Sequence, residues 1–185
     1  MKNRQAFYRS VLIILLCGVG FLYSQSKSVF QQVEEAVAAS VQQGVQVGNE
    51  AAPFQLKTLR GKEVSLSDFI GQPVVINFFA TWCGPCQEEM PIIVEMEKRL
   101  SAKGVAFLAV NMTSQEENKK EIQPFLNHFR APFDVLLDEE GDVMEQYQMI
   151  GIPTTIVIDE KGVIIQRING GLTYGVMEDL IVLRD

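Results

Sequence analysis

The apolar positions of this chain change period several times, and each change marks an element. Val11 to Tyr23 is an uncharged, mostly apolar run of 13 residues, extended backwards by Ala6, Phe7 and Tyr8. Val29, Val33, Val37 and Val41 then recur every four residues in a segment of Gln, Ser, Ala and Glu that ends at Gly44 and Gly48. That spacing makes a narrow helical stripe. Phe54 to Leu59 and Glu63 to Leu66, joined through Arg60-Gly61-Lys62, read as a hairpin. Ser65 or Ser67 can cap a short helix around Ser67 to Ile70 that stops at Gly71.

Val74 to Ala80 is mostly apolar and rich in β-branched and aromatic residues, the pattern of a strand buried on both faces. A helix runs from the following turn to about Lys103 and is closed by Gly104, and Val105 to Asn111 is a second buried strand. Ser114 opens a polar helix reaching about Phe129, in which Pro124 predicts a kink or break. Phe133 to Leu137 is a short strand, Asp138 to Asp142 a turn, and Val143 to Gln148 a short helix. Ile156 to Ile158 and Val163 to Ile168 form a hairpin across Asp159-Glu160-Lys161-Gly162, and Thr173 to Leu183 is a last amphipathic helix. Strands alternating with helices, then a hairpin and a helix, predict a three-layer α/β domain with a mixed sheet.

Charge sharpens the ends of this picture. Lys2, Arg4, Arg9 and Lys27 stand in the first 27 residues without an acid, and the remainder holds 12 basic and 23 acidic residues. A body that acidic repels nucleic acid, so no nucleic-acid partner is expected. The basic start and the apolar run read as a signal-anchor with Arg9 snorkelling to the cytoplasmic face. The run is short against the roughly 20 residues a span needs, so a cleaved signal peptide and a lipidated Cys17 stay open. Ser24-x-Ser26 is a weak cleavage site, and Leu16 is large for a lipidation site. In every case the domain is exported, and the expected localisation is the cell membrane, single-pass, with the catalytic domain outside. The division is then 1–10 basic leader, 11–23 anchor, 24–48 stalk, and 49–185 the α/β domain.

The chemistry lies at Trp82-Cys83-Gly84-Pro85-Cys86, between the buried strand and the helix. Dithiol exchange needs one accessible thiolate to attack and a second thiol near enough to release the mixed disulfide. A helix N-terminus lowers the pKa of Cys83, and Cys86, one turn in, is the buried resolving thiol. Pro85 fits the first turn, where the N–H groups have no partner to lose. Zinc would need four ligands, and beyond this pair only Cys17 and His128 remain, so no metal and no cofactor are expected. A structural disulfide across so short a loop would stabilise little. Glu89, three residues after Cys86, projects from the same helix face; burial beside the sulfurs would raise its pKa and make it a proton acceptor for Cys86. Glu88 points off that face. Glu116-Glu117, Lys119-Lys120 and His128 read as a solvated helix surface. Trp82 reads as a lid and contact surface beside the dithiol.

The segment resembles the thioredoxin superfamily, and residues 52–185 resemble its membrane-anchored ResA/TlpA group of thiol–disulfide oxidoreductases. The resemblance rests on Ala52-Pro53-Phe54, the hairpin Gly61-Lys62-Glu63-Val64-Ser65-Leu66, the N-terminal anchor, and the long gap that sets Pro153 67 positions after Cys86. It implies a thioredoxin-like sandwich with an N-terminal hairpin and a central insertion within Val105 to Leu137. It implies that Pro153 is the cis-proline facing the dithiol, which leaves the backbone of Ile152 free to pair with a substrate strand. Substrate contacts are then expected at Trp82, Gly84, Pro85 and Ile152. Thioredoxin carries a buried aspartate on the strand six residues before its first cysteine; here that place is Asn77. The group carries a glutamate where Glu89 stands, so the proton relay is expected there instead.

Gly84-Pro85 matches the reducing thioredoxins. By resemblance the substrate is a disulfide of exported proteins such as apocytochrome c, re-reduction comes from a membrane dithiol donor, and the process is cytochrome c maturation. A general envelope disulfide reductase is the alternative within the class. A peroxiredoxin-type peroxidase would need Pro where Ile76 stands, and a non-catalytic binding module would not need the complete C-x-x-C with Pro153.

Overall fold

Strand β5 (Val74–Phe79) is buried at all six positions and lies inside the sheet, with a strand paired on each side. The computed structural model describes residues 43–182. The leader, the apolar run with Cys17, and the valine stripe through residue 41 lie outside the described residues. Among the described residues no helix is long and apolar enough to cross a membrane.

Upstream of β5 are four short strands: β1 (Gln43–Gly44), β2 (Glu50–Ala51), β3 (Gln55–Thr58) and β4 (Glu63–Ser65). Downstream come β6 (Ala106–Asn111), β7 (Val135–Leu137), β8 (Thr154–Ile158) and β9 (Ile164–Asn169). Seven of them form one mixed sheet in the order β4-β3-β7-β6-β5-β8-β9. β5 pairs parallel to β6 and antiparallel to β8, and β6 pairs parallel to β7. Between the dithiol and Pro153 the chain adds β7 to the sheet, and β7 also pairs antiparallel with β3. The inserted strand therefore carries the β3–β4 hairpin.

Four helices follow in chain order: α1 (Gly84–Ala102), α2 (Ile122–Phe129), α3 (Asp142–Gln146) and α4 (Tyr174–Val182). Side chains alternate across a strand, so β5 feeds two cores. Val75 and Phe79 pack with Met90, Ile93 and Met96 of α1, Phe125 of α2 and Met177 of α4. Phe79 and Phe125 stack with ring centres 5.5 Å apart. Val74, Ile76 and Phe78 pack on the other face with Val45, Phe54, Val143 and Tyr147. Three helices thus cover one face, while a short helix and the N-terminal segment cover the other. Asn77 has the parity of Val75 and Phe79, which turns its amide toward α1.

Two regions differ from the sequence reading. The polar stretch after β6 is not one kinked helix. It makes two single 3-10 turns, Thr113–Gln115 and Lys119–Glu121, before α2 starts. Asn118 caps the second turn by accepting from Lys120 N at 3.0 Å. Pro124 stands in the first turn of α2, where its missing N–H costs nothing. The second difference lies at residues 43–48, assigned above to the stalk. Gly44 pairs with Ala51, Val45 is buried in the second core, and Gly48 N donates to Ile164 O at 2.8 Å. This segment is packed onto the α/β domain.

Candidate active site

The sheet hands the chain to α1 through Ala80-Thr81-Trp82, and Cys83 becomes the helix N-cap in an extended conformation. Its Sγ lies 3.3 Å from Cys86 N and accepts that N–H, one of the four a helix start leaves unpaired. Pro85 occupies the first turn. Cys83 and Cys86 are joined in a disulfide with Cα atoms 5.2 Å apart. Cys83 is 5% exposed and Cys86 fully buried, so the difference in access expected of the pair is present and small. A sulfur held by a helix N–H at the positive dipole end is set up to carry negative charge when the disulfide opens.

Opposite the dithiol, the Ile152–Pro153 bond is cis. Ile152 O lies 3.7 Å from Cys83 Sγ. Trp82 is 56% exposed and Ile150 87% exposed, and between them runs a shallow groove lined by Met112, Met144, Met149 and Ile152. Gly84 and Pro85, between the two cysteines, are also exposed. The methionines and Ile150 were not legible as lining residues, because they come from three separate segments joined only by the fold.

Glu89 is 2% exposed, one turn beyond Cys86. Its Oε1 accepts from Asn77 Nδ2 at 3.0 Å and its Oε2 from Leu172 N at 2.6 Å. Asn77 Nδ2 also donates to Thr155 Oγ1 at 3.1 Å, while Asn77 Oδ1 is buried without a partner. Burial pushes the Glu89 carboxyl above its ordinary range, and the hydrogen bonds from Leu172 and Asn77 pull the other way. Burial is the larger effect, because two neutral donors only partly replace the water a carboxylate loses. Glu88 is exposed, as its place on the helix requires.

The acidic run after β6 departs from its reading as a solvated face. Glu116 is half-buried, and its carboxylate accepts from Thr81 N at 2.7 Å, Thr81 Oγ1 at 2.5 Å and Asn111 Nδ2 at 2.7 Å. Glu117, Lys119, Lys120 and His128 are exposed, and the His128 ring packs edge-on against Phe129.

A redox-active dithiol geometry at a helix start, faced by a cis-proline on a mixed α/β sheet, defines a thioredoxin-fold thiol–disulfide protein. The AhpC/TSA family pattern matches residues 47–167. Thioredoxin-like protein YneN of Bacillus subtilis (strain 168) is 40% identical over 140 residues, covering 76% of this chain and 81% of that protein. Thiol-disulfide oxidoreductase ResA of the same strain is 31% identical over 183 residues, 98% of this chain and 94% of that one. Among solved structures, StoA from Bacillus subtilis superposes with a TM-score of 0.63 at 29% identity, covering 72% of this chain and 97% of that one. The chain belongs to the AhpC/TSA family of thioredoxin-like proteins, and within it is a thiol–disulfide oxidoreductase of the ResA and StoA type.

Proposed function

We propose that the protein is a membrane-anchored, extracytoplasmic reductant of disulfides in exported proteins, acting on apocytochrome c during cytochrome c maturation. The observation that carries the chemistry is the Cys83–Cys86 pair at the α1 N-terminus with the buried carboxyl of Glu89 one turn further on. In the reduced enzyme, the Cys83 thiolate attacks one sulfur of the substrate disulfide, and the other leaves as a substrate thiolate that takes a proton. Glu89 accepts the proton of Cys86, whose thiolate attacks Cys83 Sγ and expels the second substrate thiol. The substrate gains two electrons, the enzyme becomes the disulfide form, and a membrane dithiol donor returns the electrons. An extended substrate strand would lie along Ile152 beside Pro153, with Trp82, Gly84 and Pro85 at its edge.

The anchor and the exported site are supported by the basic leader and apolar run, and the direction by Gly84-Pro85. Reading the substrate as apocytochrome c rests on likeness to the ResA group. The test is a Cys86→Ser protein expressed in intact cells, with its mixed disulfides separated on diagonal non-reducing gels. Apocytochromes c on Cys83 are the expected catch. A broad set of unrelated envelope proteins would replace the maturation reading with general disulfide reduction. An empty gel, with no disulfide reduction by the purified unsubstituted protein, would end the reductant proposal.

A further inference from the structure

The segment in front of the dithiol has little apolar packing to hold it. Trp82 is largely exposed, Gly84 and Pro85 are exposed, and the position of Thr81-Trp82 depends on polar ties. Those ties converge from two directions. Gln87 Nε2, on α1, donates to Thr81 O at 2.7 Å. The other polar groups of Thr81, its N–H and its hydroxyl, both donate to the Glu116 carboxylate. Next to it, Gln115 O accepts from Trp82 Nε1 at 2.9 Å.

The brace is anchored in the sheet. Asn111, the last residue of β6, sits beside Phe79 in the parallel register and is fully buried. Its Nδ2 donates to Glu116 and its Oδ1 accepts from Thr113 Oγ1 at 2.9 Å. A carboxylate receiving three hydrogen bonds, 35 residues away from the threonine it holds, is fixed by the fold and in turn fixes the loop.

We propose that Glu116 is a positioning residue for the dithiol: by holding Thr81, and with it Trp82, it sets the approach of a substrate disulfide to Cys83. Misplacing a reacting group by about an ångström costs up to ~100-fold in rate, which a loop released from its ties can readily incur. The hydrogen bonds, not the charge, do the holding. In Glu116→Gln the amide oxygen can still accept from Thr81 N and Asn111 Nδ2, and the amide nitrogen can donate to the Thr81 hydroxyl, which then accepts. In Glu116→Ala both N–H donors lose their acceptor.

Trp82 is the only tryptophan in the chain, so its fluorescence reads this loop directly. The full-length reduced protein is titrated with acrylamide, and kcat/KM is measured for reduction of insulin disulfides with dithiothreitol as electron source. Glu116→Ala is expected to raise the quenching constant of Trp82 about twofold and lower kcat/KM about tenfold, within the range for a misplaced reacting group. Glu116→Gln is expected to restore both. Thr81→Val, which keeps the shape and removes the hydroxyl, is the second variant if Glu116→Ala does not fold, and its quenching should rise in the same direction. Unchanged Trp82 quenching in a folded Glu116→Ala protein would overturn the proposal, as would Glu116→Gln matching the alanine variant in both readouts. The inference rests on Cys83 as the attacking thiol. Failure of the unsubstituted protein to reduce insulin would strike that reading, whereas the Trp82 response bears on Glu116 alone.

Discussion

At the scale of single residues, the proposed proton relay rests on Glu89 and its buried partner Asn77. The folded pKa of Glu89 is raised above its ordinary value of 4.5, mainly by burial. The folded protein therefore binds this proton more tightly than the unfolded chain does. The contribution to stability is fully present below the unfolded pKa and is lost as pH rises through the folded one. Glu89→Gln removes this dependence. The glutamine oxygen can accept from Leu172 N, and its nitrogen can donate to Asn77 Oδ1 once that amide turns over, which moves Asn77 Nδ2 into the unpartnered place that Oδ1 now holds. The melting temperature of Glu89→Gln relative to wild type should rise as pH climbs from about 4.5 to the raised folded pKa of Glu89 and then level off, read by circular dichroism across a pH series. Disulfide reduction should slow by about 10²-fold, the usual contribution of a proton-transfer group, and lose its Glu89-dependent inflection. A rate–pH profile identical to wild type would take Glu89 out of the relay.

Legibility at this scale follows sequence distance. Cys83, Cys86 and Glu89 lie three apart on one helix, so spacing alone places them on one face. Glu116 was illegible because its partner Thr81 is 35 residues back, and because the run of charges around it has the signature of a solvated surface.

At the scale of elements, what could be read was what repeats. The buried strand at β5, the long α1 and the closing β8–β9 hairpin each carry a period or a turn that survives folding. The stretch between β6 and α2 has no apolar period, and its course is set by polar contacts outside it: the Glu116 side chain to Thr81, and the Gln115 backbone carbonyl to Trp82 Nε1. Residues 43–48 were hidden for a related reason. Only Val45 enters the core, and the rest of the attachment is backbone. Arg167 is central to it. Its Nη1 donates to Val45 O at 3.1 Å and to Tyr147 O at 3.0 Å, and its Nη2 to Gln148 O at 3.3 Å. Arg167→Leu strands these carbonyls, so residues 43–48 should open more readily. Amide exchange at Gly48, bonded to Ile164 O, should speed up about tenfold, the effect of roughly 1.4 kcal/mol of local stability. Exchange at Gly48 as slow as in wild type would show that the Arg167 bonds are not what secures the segment.

At the scale of the whole molecule, the question is what the first 42 residues contribute. The buried residues of the two cores run from Val45 to Leu180, and the site draws on Asn77, Cys83, Cys86, Glu89, Glu116, Ile152 and Leu172. From Gln43 onward the chain carries 12 basic and 21 acidic residues, enough like charge to keep a domain of this size dispersed. A protein starting at Gln43 should therefore unfold in one cooperative transition and reduce insulin disulfides at the full-length rate, within about twofold. A start at Asn49, the boundary read from the sequence, removes Val45 from the second core together with the bond from Gly48 N to Ile164 O. Losing a buried valine and its backbone ties should lower stability by about 2–3 kcal/mol, measured as a shift in the urea midpoint at constant slope. Equal midpoints for the two starts would return residues 43–48 to the stalk. In cells, the Gln43 start fused to a cleavable secretion signal should retain disulfide-reducing activity but leave the membrane fraction. If it remained membrane-bound, the attachment would lie in the domain and the anchor assignment of residues 11–23 would fall.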